Sequence, residues 1–225
     1  MADMRTWSVV SQKGGSGKTT LVLHLAIAAS NDGVAVCVVD LDPQRSAERW
    51  SELREERVKQ DDLAVAHGTA TSLAGMLKAA RDTGTGLTLV DTPPAVDKSM
   101  IYAAAAADIV IVPTRSSVMD QFSLRETLDY LKQIRALTKT IVVLNATSSD
   151  KAARAETEQL AHDEFGVGVL SVALADHVDL AASLRTGRGV TEAAPKRKAA
   201  KAIQEIYAEL CAFERKLART RRLSA

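Results

Sequence analysis

The sequence of 225 residues contains only two cysteines and four histidines. Cys37 and Cys211 lie far apart and form no C-x-x-C pair, so we expect them to be small buried side chains without redox or metal chemistry. The histidines show no metal-ligand spacing, which argues against a metal site built on imidazoles. They are His24, His67, His162 and His177.

Long apolar runs are also absent. Residues 1–5 contain no apolar signal region, and the most apolar stretch, residues 103–112, is interrupted by Asp108. This pattern excludes the usual secretion signal and membrane-spanning helix, and it predicts a cytoplasmic protein. No low-complexity linker divides the chain, so we expect a single domain across residues 1–225.

The chain does contain short β-rich runs that alternate with helical patterns. These runs are almost continuously apolar, as is typical of strands that helices cover on both faces. The predicted fold is therefore α/β, with a doubly wound, mostly parallel sheet flanked by helices. The predicted strands span residues 6–10, 34–40, 63–66, 87–91, 109–112, 141–145 and 167–172.

The first predicted strand runs into a glycine-rich turn, KGGSGKTT at residues 13–20, and a helix-forming run follows. Gln12 stands where the strict G-x-x-x-x-G-K-[ST] pattern requires glycine, whereas K-G-G-x-G-K-T fits. The glycines allow backbone N–H groups to converge on phosphate oxygens at a helix N-terminus. The predicted nucleotide-binding residues here are Lys13, Gly14, Gly15, Ser16, Gly17, Lys18, Thr19 and Thr20.

Acidic residues follow two later strands. Asp40 and Asp42 end the second run, and Asp91 ends the strand at residues 87–91. Ligands of such sheets bind at the carboxyl ends of the strands, so these carboxylates are expected beside the phosphate-binding loop. Thr19 and Asp91 are placed to hold Mg²⁺, the former by its hydroxyl and the latter through water.

Four segments together resemble the ParA/MinD group of deviant Walker A P-loop ATPases. They are KGGSGKT at 13–19, VDLDPQ at 39–44, VDTPP at 90–94 and VPTRSS at 112–117. The second and third favour the ParA side, and the resemblance covers roughly residues 5–195. The nucleotide is then expected to be ATP with Mg²⁺. An Asn-Lys-x-Asp element, typical of guanine-specific relatives, is missing after the strand at residues 141–145.

The resemblance implies a role for each matching residue. Lys13 would reach the phosphates of a partner subunit in an ATP-dependent homodimer, and Lys18 would serve its own nucleotide. Asp42 would orient or activate the attacking water, and Asp40 would help organise Mg²⁺. Asn145 would lie near the adenine. Hydrolysis is expected to be slow until an adaptor completes the site.

The basic charge of the C-terminal segment points to an anionic partner. Residues 195–225 form a predicted basic helical segment with nine basic and three acidic residues, a net charge of +6 in a chain of +1. Such a segment can attract DNA phosphates without sequence readout, or it can simply be a solvated helix. The resemblance favours non-specific DNA. The candidate DNA-binding residues are Arg185, Arg188, Lys196, Arg197, Lys198 and Lys201.

The sequence therefore predicts a ParA-type ATPase whose ATP-bound dimer coats nucleoid DNA and responds to a ParB-like adaptor, with plasmid segregation as the leading function. The alternatives are positioning of a protein cargo, such as a chemoreceptor cluster, and a MinD-like membrane-associated regulator. Stable membrane association is not expected, because residues 218–225 offer only Leu223 as a bulky apolar anchor. An N-terminal helix-turn-helix domain is not expected either.

Overall fold

The computed structural model describes residues 4–59, 63–147, 151–175 and 178–223. It contains an eight-stranded sheet, in which seven strands follow the order β3-β2-β4-β1-β5-β6-β7. The eighth strand, β8, pairs with the carboxyl-terminal part of β6, and β7 pairs with its amino-terminal part. Every strand pair is parallel. The strands are β1 Arg5–Val9, β2 Val36–Asp40, β3 Leu63–His67, β4 Leu87–Asp91, β5 Ile109–Thr114, β6 Thr140–Thr147, β7 Gly168–Val169 and β8 Leu174–Ala175.

Helices connect the strands and cover the sheet. The α-helices are α1 Lys18–Asn31, α2 Ser46–Val58, α3 Leu73–Asp82, α4 Lys98–Ala106, α5 Val118–Gln133, α6 Lys151–Gln159, α7 Val178–Leu184, α8 Val190–Ala193 and α9 Lys198–Leu223. A 3₁₀ turn spans Leu137–Lys139, and a π-helical turn spans Leu160–Glu164. In the described residues, no helix is both long and apolar enough to span a membrane.

The predicted α/β fold class is confirmed: the sheet is parallel and helices flank it. The strand predicted at residues 167–172 is wrong in extent, because pairing stops at Val169 and resumes at Leu174 as β8. Ser171 lies between the two strands and is held by α9, since its N–H donates to Glu209 Oε2 at 2.9 Å. The apolar pattern of a segment does not indicate that one of its amides donates to a helix side chain, as Ser171 does, and not to a neighbouring strand.

The central strand, β1, packs between two layers of helices. Trp7 and Val9 face a core completed by residues of α1, α8 and α9. On the other face, the Ser8 hydroxyl donates to Ala103 O in α4 at 2.8 Å. Both faces of the strand are therefore covered, and four of its five residues are buried.

Helix α9 docks along the core, as its apolar spacing predicts. Its buried residues include Ile203, Ile206 and Leu210. The indole Nε1 of Trp7 donates to Glu214 Oε1 at 2.8 Å, and Arg5 pairs with the same carboxylate at 3.4 Å. These contacts attach α9 to the amino end of the central strand.

The carboxyl ends of the strands meet at one edge of the sheet. Val9 pairs with Asp91 across β1 and β4, and Asp40 pairs with Asp91 across β2 and β4. The phosphate-binding loop starts directly after β1 at this same edge. The fold therefore brings together Val9 and Asp91, which lie 82 positions apart in the sequence.

Candidate nucleotide-binding site

The loop between β1 and α1 has the backbone conformation of an anion-binding turn. Gly15 and Gly17 adopt φ angles of 72° and 89°, in the left-handed region that favours glycine. Gly17 is the N-cap of α1, and the helix starts at Lys18. Unpaired N–H groups at a helix N-terminus and the helix dipole favour a bound anion, so the loop is suited to phosphate.

The side chain of Lys18 folds back over the loop. Its Nζ donates to Lys13 O at 3.2 Å, and the residue is only 6% exposed. Burial lowers the pKa of the amine, while the carboxylates of Asp91 and Asp42 act in the opposite direction. A buried cation at the nucleotide cleft is well placed to pair with a phosphate oxygen.

Thr19 and Asp91 form the candidate cation site. The Thr19 hydroxyl donates to Asp91 Oδ2 at 2.6 Å. Asp91 is fully buried, and its Oδ1 has no hydrogen-bond partner among the described residues. Burial foremost raises the pKa of this carboxyl to about 7. A hydroxyl and a carboxylate with a spare oxygen are hard oxygen donors, so these residues fit Mg²⁺.

Asp40 is fully buried, and its carboxylate is engaged by backbone amides. Its Oδ1 accepts from the N–H of Asp42 at 2.9 Å, and its Oδ2 accepts from Ala47 at 2.9 Å and Glu48 at 3.3 Å. Burial raises the pKa of Asp40, and these hydrogen bonds act against the rise. The residue thus ties the end of β2 to the first turn of α2 and fixes the loop that carries Asp42.

A cleft of about 220 Å³ opens between the loop and the ends of β2 and β4. Larger grooves of about 380 and 510 Å³ lie along α9, but their linings contain no residue of the phosphate-binding loop. The chemistry of the lining therefore identifies the nucleotide cleft better than its size does. The cleft is lined by Gly14, Gly15, Gly17, Lys18, Thr19, Thr20, Asp42 and Pro94.

Lys13, the additional lysine of the loop, binds Asp120 of its own chain. Lys13 Nζ lies 2.5 Å from Asp120 Oδ1, with Lys13 33% and Asp120 5% exposed. Burial opposes ionisation of Asp120, but hydrogen bonds from Lys13 and Ser117 outweigh it, so the pKa of Asp120 lies below its ordinary value. Asp120 occupies the first turn of α5, where a helix N-terminus favours an anion.

Ser16 is a buried residue of the loop whose backbone is contacted by β6. The residue is 2% exposed, and its hydroxyl has no hydrogen-bond partner among the described residues. Its carbonyl oxygen accepts from Asn145 Nδ2 at 2.7 Å. Asn145, which lies in β6 at the same sheet edge, therefore contacts the loop backbone in the structure.

The candidate DNA-binding residues occupy one region of the surface. Arg185 and Arg188 are exposed between α7 and α8, and the four bases at 196–201 are exposed around the start of α9. Two of them are partly neutralised, since Arg197 lies 3.7 Å from Asp179 and Lys201 lies 3.7 Å from Glu205. The structure therefore places these candidates between the end of α7 and the first turn of α9, and none of them lines the nucleotide cleft.

The remaining bases of the C-terminal segment lie elsewhere. Helix α9 rises about 1.5 Å per residue, which places Arg219 roughly 32 Å from Lys198. The predicted basic segment is therefore two clusters at opposite ends of one helix. The second cluster consists of Arg215, Lys216, Arg219, Arg221 and Arg222.

A buried ion pair that was not expected from the sequence links α2 to α8. Arg54 is 2% exposed, and its guanidinium binds Glu192 at 2.8 and 3.0 Å and Gly187 O at 2.9 Å. Trp50, one turn earlier, donates to Leu184 O at 3.0 Å. The spacing of Trp50 and Arg54 could have indicated this burial, because residues four positions apart share one face of a helix.

A buried histidine links α1 to α8. The Nδ1 of His24 accepts from the N–H of Val190 at 3.1 Å, and the side chain is fully buried. Burial lowers the pKa of this imidazole to about 4, so it is neutral near pH 7. Within the described parts of the chain, no group of three or more His, Cys, Asp or Glu side chains is arranged to hold a metal ion.

Comparisons with known proteins place the chain among nucleotide-binding proteins of one family. The Chromosome-partitioning ATPase Soj of Thermus thermophilus is 28% identical over 243 residues, covering 94% of this chain and 97% of that protein. The Maintenance of carboxysome distribution protein A of Gloeobacter kilaueensis is 37% identical over 126 residues, covering 55% of each protein. The structure of the MinD cell division protein of Aquifex aeolicus has the same fold, with a TM-score of 0.76, 18% identity and coverage of 92% of this chain and 97% of that chain.

The family model described as the CobQ/CobB/MinD/ParA nucleotide binding domain matches residues 7–190. This range includes the phosphate-binding loop, both acidic strand ends and Asn145. It also includes Arg54 and ends two residues before Glu192, the partner of Arg54. The chain therefore belongs to the CobQ/CobB/MinD/ParA nucleotide-binding domain family.

Proposed function

We propose that this protein is an ATP-dependent partitioning ATPase. It binds ATP with Mg²⁺, closes into a homodimer, holds non-specific DNA, and hydrolyses ATP when a cargo-bound adaptor stimulates it. The cargo we favour is plasmid DNA. The proposal draws on the relative from Thermus thermophilus, which is named as a chromosome-partitioning ATPase and aligns over 94% of this chain.

One observation carries the nucleotide part of the proposal. The Thr19 hydroxyl meets Asp91 at 2.6 Å beside a phosphate-binding loop whose lysine, Lys18, is buried. When bound, Mg²⁺ would neutralise phosphate charge as it develops. Thr19 and Asp91 would hold the ion, Lys18 would pair with phosphate oxygens, and Asp42 at the cleft would orient the attacking water.

Lys13 supports a role for a second subunit. It is one-third exposed and is paired with Asp120 in the single chain, so it does not neutralise phosphate charge in its own cleft. A lysine delivered across a dimer can act on the partner's nucleotide as an arginine finger does. Dimer closure then requires Lys13 to leave Asp120. The lost ion pair would be replaced by the contact of Lys13 with the partner's phosphates, so the dimer would form only when nucleotide is bound.

DNA is the proposed surface to which the dimer binds. The exposed bases Arg185, Arg188, Lys196, Arg197, Lys198 and Lys201 lie between the end of α7 and the first turn of α9. Contacts of lysine and arginine with phosphates give affinity without sequence preference, and this affinity falls steeply with salt. An ATP-bound dimer doubles the number of such contacts, which explains why DNA binding would follow the nucleotide state.

Positioning of a protein cargo is the second candidate function. It is favoured by the relative from Gloeobacter kilaueensis, named for the maintenance of carboxysome distribution. The same ATP cycle would serve either cargo, because only the adaptor differs. A MinD-like role at a membrane has less support, since the end of α9 presents Leu223 among bases without further bulky apolar residues.

The proposal is tested by phosphate release and DNA retention. Phosphate release from ATP should be slow for the protein by itself and should rise when DNA and the cognate adaptor are added. Release at the background rate under all conditions would refute the proposed ATPase activity. Asp42→Ala should bind ATP and retain DNA without turnover. Lys196→Ala/Lys201→Ala should weaken DNA retention and reduce its salt dependence, and Lys216→Ala/Arg219→Ala at the far end of α9 is the matched control. Equal effects of both pairs would argue against the assigned DNA surface.

A further inference from the structure

Asn145 makes a buried contact with the phosphate-binding loop. It lies near the end of β6, is 7% exposed, and donates from Nδ2 to Ser16 O at 2.7 Å. A carbonyl oxygen only accepts hydrogen bonds, so the amide must present its NH₂ group to the loop. The contact joins residues 129 positions apart in the sequence.

The same amide fills the space beside Gly17. A Cβ atom built on Gly17 would lie 1.9 Å from Asn145 Nδ2 and 3.2 Å from its Cγ. No side chain at this position can coexist with the observed amide. Asn145 therefore contacts two successive loop residues, one by a hydrogen bond and the other by close packing.

These contacts fix a particular peptide group. The peptide between Ser16 and Gly17 is planar, and in the trans form its C=O and N–H point in opposite directions. Because Asn145 holds the Ser16 carbonyl, it also directs the Gly17 N–H away from β6. Gly17 lines the nucleotide cleft and caps α1, so the orientation of this N–H matters for a bound phosphate.

We infer that Asn145 is a positioning residue that holds the Ser16–Gly17 peptide in its phosphate-binding orientation. This role does not depend on the nucleotide base. The inference rests on the proposed function, because it concerns how the same cleft binds nucleoside triphosphates. It departs from the expectation that Asn145 lies near the adenine in order to contact it.

The test compares ligands that differ in the base. Binding of ATP, ITP and inorganic tripolyphosphate is measured by calorimetry in the presence of Mg²⁺, for the full chain and for Asn145→Ala. ITP lacks the exocyclic amine of adenine, and tripolyphosphate lacks a base. A positioning residue affects all three ligands equally, and we expect each to bind about tenfold more weakly, the equivalent of one lost hydrogen bond.

Two further variants separate positioning from general instability. Asn145→Asp keeps the shape but turns a carboxylate oxygen toward the Ser16 carbonyl, so it should weaken the three ligands more than Asn145→Ala does. Val143→Ala truncates a fully buried side chain of the same strand that belongs to the hydrophobic core. It should lower the melting temperature while leaving all three affinities within about twofold of the wild type.

The outcomes are distinct. A selective loss of ATP affinity relative to ITP and tripolyphosphate would overturn the inference, since it would show that Asn145 contacts the base. Equal weakening in Val143→Ala would also overturn it, because the effect would then reflect strand stability. If the wild-type chain binds none of the three ligands, the proposed function itself fails.

Discussion

Breaking the internal pair of Lys13 and Asp120 should promote ATP-dependent dimerisation. If Lys13 acts on the partner's nucleotide, each subunit must first give up its contact of 2.5 Å with Asp120. The change Asp120→Asn keeps the shape of the side chain and removes the charge that attracts the lysine. The monomer loses this stabilisation, and the dimer, in which the pair is already broken, loses little.

The size of the effect follows from the exposure of the pair. Hydrogen bonds to charged groups contribute about 1.5–3 kcal/mol when shielded. Lys13 is 33% exposed, so screening by solvent reduces the value to about 1 kcal/mol per subunit. A symmetric dimer releases two lysines, or about 2 kcal/mol in total. This energy corresponds to a dimer dissociation constant roughly 30-fold lower than that of the wild type.

Sedimentation equilibrium with a slowly hydrolysed ATP analogue measures this constant. Asp129→Asn is the matched control, because it makes the same charge change on an exposed position of α5. It should leave the dimer dissociation constant unchanged. A wild-type or higher dissociation constant for Asp120→Asn would show that Asp120 does not restrain Lys13.

Three other predictions concern single buried contacts. His24, whose pKa is lowered to about 4, takes up a proton when the protein unfolds below pH 6.5. The free energy of unfolding should therefore fall by about 3 kcal/mol between pH 7 and pH 4.5, and urea unfolding of His24→Asn should lack this part of the pH dependence. Glu192→Gln removes the carboxylate from buried Arg54 and should cost about 3 kcal/mol, whereas Glu158→Gln, in an exposed pair, should cost less than about 1 kcal/mol. Gly17→Ala should reduce ATP affinity more than Gly15→Ala does, because only the former clashes with Asn145; equal losses would contradict this account.

Much of the sheet and the phosphate-binding loop is predictable because the relevant signals are local. A buried parallel strand needs a short apolar run, and β4 spans the residues expected from its run. Gly15 and Gly17 of the loop are required by their own positive φ angles. Asp91 follows directly from the end of its strand, so its place beside Thr19 needs only the rule that strand ends share an edge.

The remaining features depend on contacts between distant residues. Asp120 meets Lys13 across 107 positions, and no spacing in the sequence indicates that pair. Arg54 lies within a highly charged run, a composition typical of a solvated helix face, yet it is buried against residues near 187–192. Which member of a charged helix faces inward is decided by the partner carboxylate, and local composition does not identify that partner.

The attachment of Glu214 to Trp7 has a consequence for the order of folding. The indole of the first strand receives its hydrogen-bond partner from a residue 207 positions later. During synthesis, the central strand must therefore wait for almost the whole polypeptide before this bond can form. Contacts of such long sequence separation carry a large loop-closure entropy and form late. A nascent chain stalled before residue 214 would leave Trp7 and Val9 incompletely covered, and exposed apolar surface of that kind is prone to aggregate.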